Sequence, residues 1–335
     1  MSMTYLTPRS QLFSLAVSFV FTQISLATSL VSQVRPEACC RVTHAALETT
    51  ELSTCLLLCP IHGDVISPDA PCPPLDVTSG DTNYVEPKKL ICAGLRGHVK
   101  SGTTWLGNLT ANLLKHHCSF TGKCTYAVRK AFVAEDLSAL VNSQKPTIRW
   151  FESYDKHIRP DAWPESQNAI VVLRDPREVV ASLWHFNHRP TPISYSHPST
   201  RNLYFELKQA MDWIEAAFNE ALEKHNNTSL LFVKYSSLVK EPLVVLEQMA
   251  HFLGLDDYGE ISPESLLAAF EHSDAAKVFT FREGKTCAFV KEFAHDVMYH
   301  LNYWQEQNRL VSNVFPISCT SEVTSGHHSA AKSEL

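Results

Sequence analysis

Short apolar runs alternate along the central part of the chain with segments whose apolar residues recur at helical spacing. The runs are Leu90–Leu95, Ala169–Leu173 and Leu230–Tyr235, and the helical segments that follow them are Thr104–Leu114, Glu178–Phe186 and Pro242–Leu253. Continuous apolar runs of this length are typical of strands buried on both faces of a parallel sheet. Alternation with helices places helices on both faces. The pattern therefore predicts a three-layer α/β domain, with the strand at 170–173 beside the strand at 90–95.

The N-terminal region has the features of a targeting segment. Arg9 precedes an apolar stretch from Leu12 to Val31 that is diluted by Ser, Thr and Gln, and Ser25-Leu26-Ala27 is a sequence that a signal peptidase could cut. We expect a signal peptide or a weak signal anchor over residues 1–34, with a disordered or transit leader as the alternative. A stable transmembrane span is less favoured, because it needs roughly 20 strongly apolar residues.

Composition divides the rest of the chain. Residues 35–87 are rich in Pro, Ser, Thr and Cys without a sustained period, which predicts a stem or linker. The folded domain is expected over residues 88–312 and a disordered tail over 313–335. The formal net charge of -6 argues against nucleic acid as a partner, although a small basic pocket can exist on an acidic protein.

Cysteines and sequons favour the secretory pathway, either the Golgi lumen or secretion. Half of the ten cysteines precede the first motif, at Cys39, Cys40, Cys55, Cys59 and Cys72, where disulfides suit a secreted chain. No histidine accompanies them at zinc-finger spacing, so no metal is expected. Asn226-Asn227-Thr228-Ser229 contains two overlapping glycosylation sequons. The alternative is a cytoplasmic protein with scattered thiols and unused sequons.

The segment Lys100-Ser101-Gly102-Thr103-Thr104-Trp105 lies between the first predicted strand and its helix. Glycine permits close approach of the backbone, the hydroxyls add donors, and a helix N-terminus offers N–H groups to a phosphate. Lys100 adds a positive charge that can neutralise charge on a leaving oxygen. The segment therefore predicts a P-loop-like, anion-binding loop rather than an ordinary capped helix.

This segment resembles the phosphosulfate loop of the sulfotransferases that use 3′-phosphoadenosine 5′-phosphosulfate (PAPS), which reads Pro-Lys-Ser-Gly-Thr-Thr-Trp; Val99 replaces the Pro here. The resemblance implies that Lys100 contacts the phosphosulfate and assists departure of the leaving group. It also implies that Ser101–Thr104 cradle the 5′-phosphosulfate and that Trp105 lies by the adenine, although a core position would equally explain Trp105. PAPS is then the co-substrate, 3′-phosphoadenosine 5′-phosphate (PAP) the product, and no metal takes part.

Two later segments extend the resemblance. Arg174 begins Arg174-Asp175-Pro176-Arg177 just past a predicted strand end, where ligands of open α/β sheets bind. In the family an Arg here and a Ser eight residues later hold the 3′-phosphate, and Arg174 and Ser182 keep that spacing. Phe281-Arg282-Glu283-Gly284 is similar to the family's late segment over the 3′-phosphate. Arg282 and Gly284 match it, whereas Glu283 replaces a basic residue.

The resemblance also implies a general base, which the family takes from a His before the strand of the second motif. His157 is the only histidine between His117 and Arg174, and its interval to Arg174 is a few residues shorter than in the cytosolic branch. Its alternative is an exposed loop histidine. Glu152 is the reserve base, although a solvated charge at a strand end explains it more simply.

Two other functions stay open. Gly94-Leu95-Arg96-Gly97-His98-Val99-Lys100-Ser101 misses the G-x-x-x-x-G-K-[ST] motif of P-loop kinases and NTPases only at Val99. A catalytically inactive PAPS- or PAP-binding protein is the third possibility, suggested by Val99 and Glu283. The acceptor class is open among sugars, phenols, sterols and small zwitterions, and residues 187–202 are expected to line its pocket. Homodimer formation and attachment of the N-terminal segment to a membrane are also left open.

Overall fold

The computed structural model describes residues 90–129, 145–152, 168–188, 202–223, 229–273, 288–291 and 293–316. All of them belong to the unit Cys40–Leu335, and the other unit, Met1–Cys39, contains none of them. The predicted signal segment, the stem, the sequons at Asn226-Asn227 and the chain beyond Pro316 therefore lie outside the described residues. The boundaries given for them, and for the domain, stay predictions.

Five parallel strands form the sheet in the described part of the chain. They are β1 (Leu90–Gly97), β2 (Thr125–Arg129), β3 (Thr147–Glu152), β4 (Asn168–Leu173) and β5 (Leu230–Lys234). Their order across the sheet is β2-β3-β1-β4-β5. Leu90 lies opposite Thr147 of β3, and Ala93 lies opposite Asn168 of β4. The predicted parallel sheet is confirmed, and so is the pairing of the strands that contain 90–95 and 170–173.

Helices connect and cover these strands. They are α1 (Thr103–Thr121), α2 (Pro176–His188), α3 (Leu203–Glu223), α4 (Tyr235–Lys240), α5 (Pro242–Phe252), α6 (Pro263–His272), α7 (His295–Glu306) and α8 (Arg309–Val314). Pro242 and Pro263 stand in first turns, where the missing N–H is harmless. Gly254, two residues after the end of α5, adopts φ 66°. Among the described helices, none is long and apolar enough to cross a membrane.

The strands supply alternate side chains to two apolar layers, one on each face of the sheet. In β4, Val171 packs in one layer while Ile170 and Val172 pack in the other, as the two-residue period of a strand requires. The first layer includes Trp184, Phe218, Phe232 and Leu301, and the second includes Trp105, Leu109, Trp150 and Leu246. Burial of one such side chain contributes roughly 1.5–3 kcal/mol. The two layers therefore hold the strand ends as a fixed platform.

A disulfide that the sequence analysis did not predict closes the turn from α1 to β2. Gly122 ends the helix with φ 64°, and its N–H donates to the Cys118 carbonyl at 3.0 Å. Cys118 and Cys124 are joined across this turn. Cys92 of β1 is also disulfide-bonded, so each of the three cysteines within the described ranges is oxidised.

Candidate nucleotide-binding site

The carboxyl ends of β1 and β4 meet at the centre of the sheet, and the chain leaves them in opposite directions. β1 leads through α1 to β2 on one side, whereas β4 leads through α2 and α3 to β5 on the other. Such a reversal of strand order opens a crevice beyond the strand ends, where ligands of open α/β sheets bind. Lys100 follows β1 and Arg174 follows β4. Both motifs identified in the sequence therefore reach the same crevice.

The loop His98–Gly102 turns tightly between β1 and α1. Both the backbone N–H and the side-chain Oγ of Ser101 donate to the His98 carbonyl oxygen, at 3.0 and 2.6 Å. Lys100 has φ 64° and Gly102 has φ 102°; a left-handed conformation is unfavourable for lysine, and such strain is typical of functional loops. The hydroxyl of the buried Ser101 therefore holds the turn together from within.

The N-terminus of α1 faces the crevice without a side-chain cap. Its N-cap is Gly102, which has no side chain to bond to the first turn. The N–H groups at a helix start lack carbonyl partners within the helix, and the helix dipole places partial positive charge there. This helix end is therefore suited to the oxygens of a phosphate or sulfate.

Tyr235, the first residue after β5, sets the shape of the loop. A Cβ added to Gly102 would lie 2.5 Å from Tyr235 Cδ2, so the ring occupies the space that any larger residue at position 102 would need. The Trp105 ring packs edge-on at 6.0 Å between centroids. Burial raises the pKa of Tyr235, and the nearby Arg174 partly opposes this. The tyrosine is thus a neutral, buried wall of the crevice.

Arg174 links the two sides of the crevice. Its Nε donates to Glu178 Oε2 at 2.9 Å, and its Nη1 donates to the Lys100 carbonyl oxygen at 3.0 Å. The guanidinium carbon lies 4.4 Å from the centroid of the Tyr235 ring. These bonds use two of the five donors that a guanidinium carries. Arg174 is thus fixed in place while keeping donors for a phosphate.

The Lys100 ammonium lies against an aromatic ring of α2. Its Nζ is 3.4 Å from the centroid of Phe186. Burial, and to a lesser degree the charge of Arg174, lowers the pKa of Lys100 from 10.5 to about 8. An ammonium with a lowered pKa beside a helix N-terminus is well placed to pair with an anion.

Asp175 and Arg177 form a separate, structural pair. Arg177 donates through Nε and Nη2 to the two carboxylate oxygens of Asp175, at 3.0 and 2.6 Å. Its Nη1 donates to Asn302 Oδ1 of α7 at 2.7 Å, and its guanidinium lies 4.8 Å from the centroid of Phe289. Both oxygens of Asp175 are thus bonded to Arg177. In the described part of the chain, no group of three His, Cys, Asp or Glu side chains is placed to hold a metal ion.

The structure places most of the predicted nucleotide-binding residues at the crevice. Lys100, Gly102 and the exposed Thr104 lie in or next to the loop, and Ser182 is half-buried on α2. Ser101 and Thr103 are buried, so the cradle that these positions offer is mainly backbone. Trp105 belongs to the apolar layer that α1 buries, beside Tyr235. The roles inferred for these residues stay predictions.

His157, Arg282 and Gly284 lie outside the described residues, so the predicted base and the predicted late contacts stay predictions. The backbone of Glu152, the reserve base, ends β3 opposite Leu95 of β1. This position is at the carboxyl ends of the strands, from which the Lys100 loop also departs.

Three residues at the crevice were missed in the sequence. Tyr235 fills the space beside Gly102, Glu178 accepts from Arg174, and Phe186 lies under Lys100. Tyr235 could have been noticed as the residue directly after a buried parallel strand, because that is where ligand contacts collect. Glu178 gave no such signal, because an ion pair between residues four apart, as with Arg174, is ordinary at a helix. Phe186 gave none, because its partner Lys100 is distant in the chain.

The geometry argues against a nucleotide loop of the P-loop NTPase type. Gly94, the first glycine of the near-match, pairs with Phe151 and Ala169 inside β1. Only five residues, His98–Gly102, then separate the strand from α1, and Asp175 is bonded to Arg177. The loop therefore starts too late for that motif, whose backbone must begin to turn at its first glycine.

Fold and site together define an α/β protein with a crevice suited to an anion at the switch point of a parallel sheet. A family model for the sulfotransferase domain matches residues 95–285. The chain therefore belongs to the sulfotransferase domain family.

Individual relatives are more distant. The chain is 27% identical over 206 residues to cytosolic sulfotransferase 12 of Arabidopsis thaliana, a match that covers 56% of this chain and 63% of that protein. The chain thus spans somewhat less than two thirds of the length of this curated relative. Mouse sulfotransferase SULT7A1 complexed with PAP aligns over 65% of this chain and 84% of that one, at 13% identity and TM-score 0.45. Retinol dehydratase in complex with androsterone and PAP aligns over 65% and 80%, at 16% identity and TM-score 0.46.

Proposed function

We propose that the protein is a PAPS-dependent sulfotransferase that moves a sulfuryl group to an acceptor hydroxyl or amine by in-line displacement. One observation carries the proposal: in a chain of the sulfotransferase domain family, Arg174 donates to the Lys100 carbonyl oxygen across the switch point, so that Lys100, Arg174 and the start of α1 meet at one crevice. Two cations and a helix N-terminus at one crevice suit a ligand with phosphate groups at both ends.

The described residues divide the proposed work between them. The start of α1 and Lys100 would hold the 5′-phosphosulfate, and Arg174 with Ser182 would hold the 3′-phosphate. PAPS, when bound, supplies the sulfuryl group. As the acceptor oxygen bonds to sulfur, the bond from sulfur to the bridging oxygen breaks and negative charge grows on that oxygen. Lys100 would neutralise this charge, since an ammonium stabilises a developing anion most where water is excluded.

The proton of the acceptor needs a base within hydrogen-bond reach. We assign this role to His157, with Glu152 in reserve. Glu152 lies at the carboxyl end of β3, the same end of the strands at which the crevice opens. Arg282 and Gly284 complete the proposed contacts to the 3′-phosphate. We further propose that the acceptor is a small molecule, with a glycan as the alternative.

A secretory location is part of the proposal and draws support from the disulfides. Cys118–Cys124 and the disulfide of Cys92 lie within the catalytic domain, and such bonds persist mainly in oxidising compartments. When cells are lysed in denaturant with a thiol-blocking maleimide, Cys118 should escape the block and should be labelled by a second maleimide only after reduction. Blocking of Cys118 before reduction, together with no change in mobility after endoglycosidase treatment, would contradict this location.

The activity is tested by measuring PAP affinity calorimetrically and transfer from radiolabelled PAPS to phenols, sterols, sugars and small amines. We expect PAP binding without magnesium and transfer that EDTA leaves intact. PAP binding without transfer to any acceptor would favour the inactive binding protein, a reading that Val99 and Glu283 motivate. Magnesium-dependent binding of ATP, or loss of transfer in EDTA, would contradict sulfuryl transfer.

A further inference from the structure

The Lys100 ammonium lies over the Phe186 ring at a distance typical of a cation–π interaction. The ring centroid lies 3.4 Å from Nζ, well inside the roughly 6 Å over which a ring face attracts an ammonium. Phe186 is 56% exposed, so apolar burial alone does not account for its position. It lies four residues after Ser182 on α2, and residues at this spacing share one face of a helix. The ring therefore stands at the mouth of the crevice.

The backbone of Lys100 is held firmly, so its neighbours decide where the ammonium lies. Lys100 has φ 64°, and its carbonyl oxygen accepts from Arg174 Nη1 at 3.0 Å. The positive charge of Arg174 repels the ammonium, and the guanidinium of Arg174 donates through Nε to Glu178 Oε2 at 2.9 Å. Tyr235, on the remaining side of Arg174, is neutral. Within the described part of the chain, the face of Phe186 is a contact that favours the charged form of Lys100.

We propose that Phe186 is a positioning residue, which holds the Lys100 ammonium at the mouth of the crevice in the nucleotide-free protein and releases it to the 5′-phosphosulfate on binding. The inference rests on the proposed sulfuryl transfer and deepens it. Because the ring stabilises the charged form only until the nucleotide binds, Phe186 prepares Lys100 for capture of the nucleotide. The chemical step itself proceeds with Lys100 on its new partner.

The direct test observes the lysine by NMR in the full-length protein, with lysine labelled at the ε-carbon and Lys100→Arg used to assign its signal. Protons above a ring face move upfield, so the ε-protons of Lys100 should be shifted upfield and should lose that shift when PAP is added. Phe186→Leu should abolish the shift, whereas Phe186→Tyr, which keeps the ring face, should retain it. Phe205→Leu, which removes an exposed ring of α3, is the matched control.

The pH dependence gives an independent readout. The pKa of Lys100 is about 8, lowered mainly by burial and then by Arg174. The pH profile of kcat/KM for PAPS reports ionisations of the free enzyme. The midpoint of its alkaline limb should therefore lie about half a pH unit lower in Phe186→Leu than in the natural protein. The limb of kcat should not move, because it reports the bound state. Phe186→Tyr and Phe205→Leu should match the natural protein in both profiles.

The outcomes separate this inference from the proposed function. If PAP binds but the ε-protons of Lys100 are unshifted in the natural protein, or shifted equally in Phe186→Leu, then Phe186 does not position the lysine. The same conclusion follows if the limbs of kcat and kcat/KM move together. Failure of PAP to bind at all overturns the proposed function instead, and the ligand-free NMR comparison still decides the contact.

Discussion

Gly102 and Gly122 both adopt left-handed backbone at the ends of α1, but only Gly102 has a close neighbour. A Cβ at Gly102 would lie 2.5 Å from Tyr235 Cδ2, whereas a Cβ at Gly122 would meet nothing within 4 Å. Gly102→Ala should therefore shift the tyrosine or the loop and weaken PAP binding about tenfold or more, since a contact of this loop is lost. Gly122→Ala should cost about 1 kcal/mol of stability with PAP affinity unchanged. Calorimetric titration with PAP and thermal unfolding of both variants test the contrast.

Lys100→Ala and Arg174→Ala should differ in kind. We expect Lys100→Ala to lower kcat roughly 100-fold, because it removes a charge that acts on the leaving oxygen. Arg174→Ala should mainly raise the Kd for PAP, because the 3′-phosphate carries the same charge before and after transfer. His157→Ala should resemble Lys100→Ala if His157 is the base. Steady-state kinetics beside PAP titration distinguish these, with Lys208→Ala, a surface lysine of α3 paired with Asp212, as control. Full turnover with weakened affinity in Lys100→Ala would contradict the assigned role.

Position after a strand end predicted two residues of the candidate site, whereas Ser182 was predicted from the family resemblance. Lys100 and Arg174 were found because each comes just after a buried apolar run, and parallel strands bring such positions to one edge. Phe186 was missed because its partner Lys100 is far away in the chain, and Tyr235 was missed because the predicted apolar run Leu230–Tyr235 includes it, whereas the strand ends at Lys234. The burial of Ser101 was missed for a related reason: a hydroxyl in an anion loop can face a ligand or bond to its own backbone, and the residue type fits both.

Among the elements, the connection between α2 and α7 depends most on one residue. The Arg177 side chain is fully buried, with 0% exposure, and it joins Asp175, Asn302 of α7 and the ring of Phe289. Arg177→Ala should lower the free energy of unfolding by about 3–5 kcal/mol, because it leaves Asp175 charged without its partner. The double variant Asp175→Asn with Arg177→Met should recover part of this loss. Urea unfolding of the natural protein, of Arg177→Ala, of the single variants Asp175→Asn and Arg177→Met and of the double variant measures it, and additive losses of the two single variants in the double variant would contradict the pairing.

The sequence pattern predicted three of the five described strands. β1, β4 and β5 were visible as continuous apolar runs, whereas β2 and β3 were not. In β3, Thr147 and Arg149 are polar yet fully buried, so the strand interrupts the apolar pattern on which the prediction rested. Helix α1 was predicted to Leu114 but extends to Thr121. The added turns bury His117 and the disulfide-bonded Cys118, which the spacing of aliphatic residues does not indicate.

For the molecule as a whole, the buried Lys234 contributes a free energy of unfolding that rises with alkaline pH. Burial lowers the pKa of Lys234, which is 6% exposed, from 10.5 to about 8. Between these values the unfolded chain keeps a proton that the folded protein has lost, so the free energy of unfolding rises from about pH 8 to 10.5, by roughly 3 kcal/mol for Lys234. Lys234→Met should flatten this rise, and the exposed Lys240→Met should not. Urea unfolding across this range decides; an equal slope in Lys234→Met and the natural protein would refute it.

The strand order has a consequence for how the chain is made. β1 is the first strand of the described sheet to leave the ribosome, yet it lies at the centre, paired with β3 from Leu90↔Thr147 and with β4 from Ala93↔Asn168. One edge of this apolar strand therefore lacks its partner until residues 147–152 have emerged, and the other edge lacks its partner until residue 168 and its successors have emerged. Pairing across such separations is slow, and exposed apolar edges promote aggregation. Nascent chains stalled before Asn168 should consequently bind chaperones and stay insoluble when released, whereas chains completed through β5 can close the sheet.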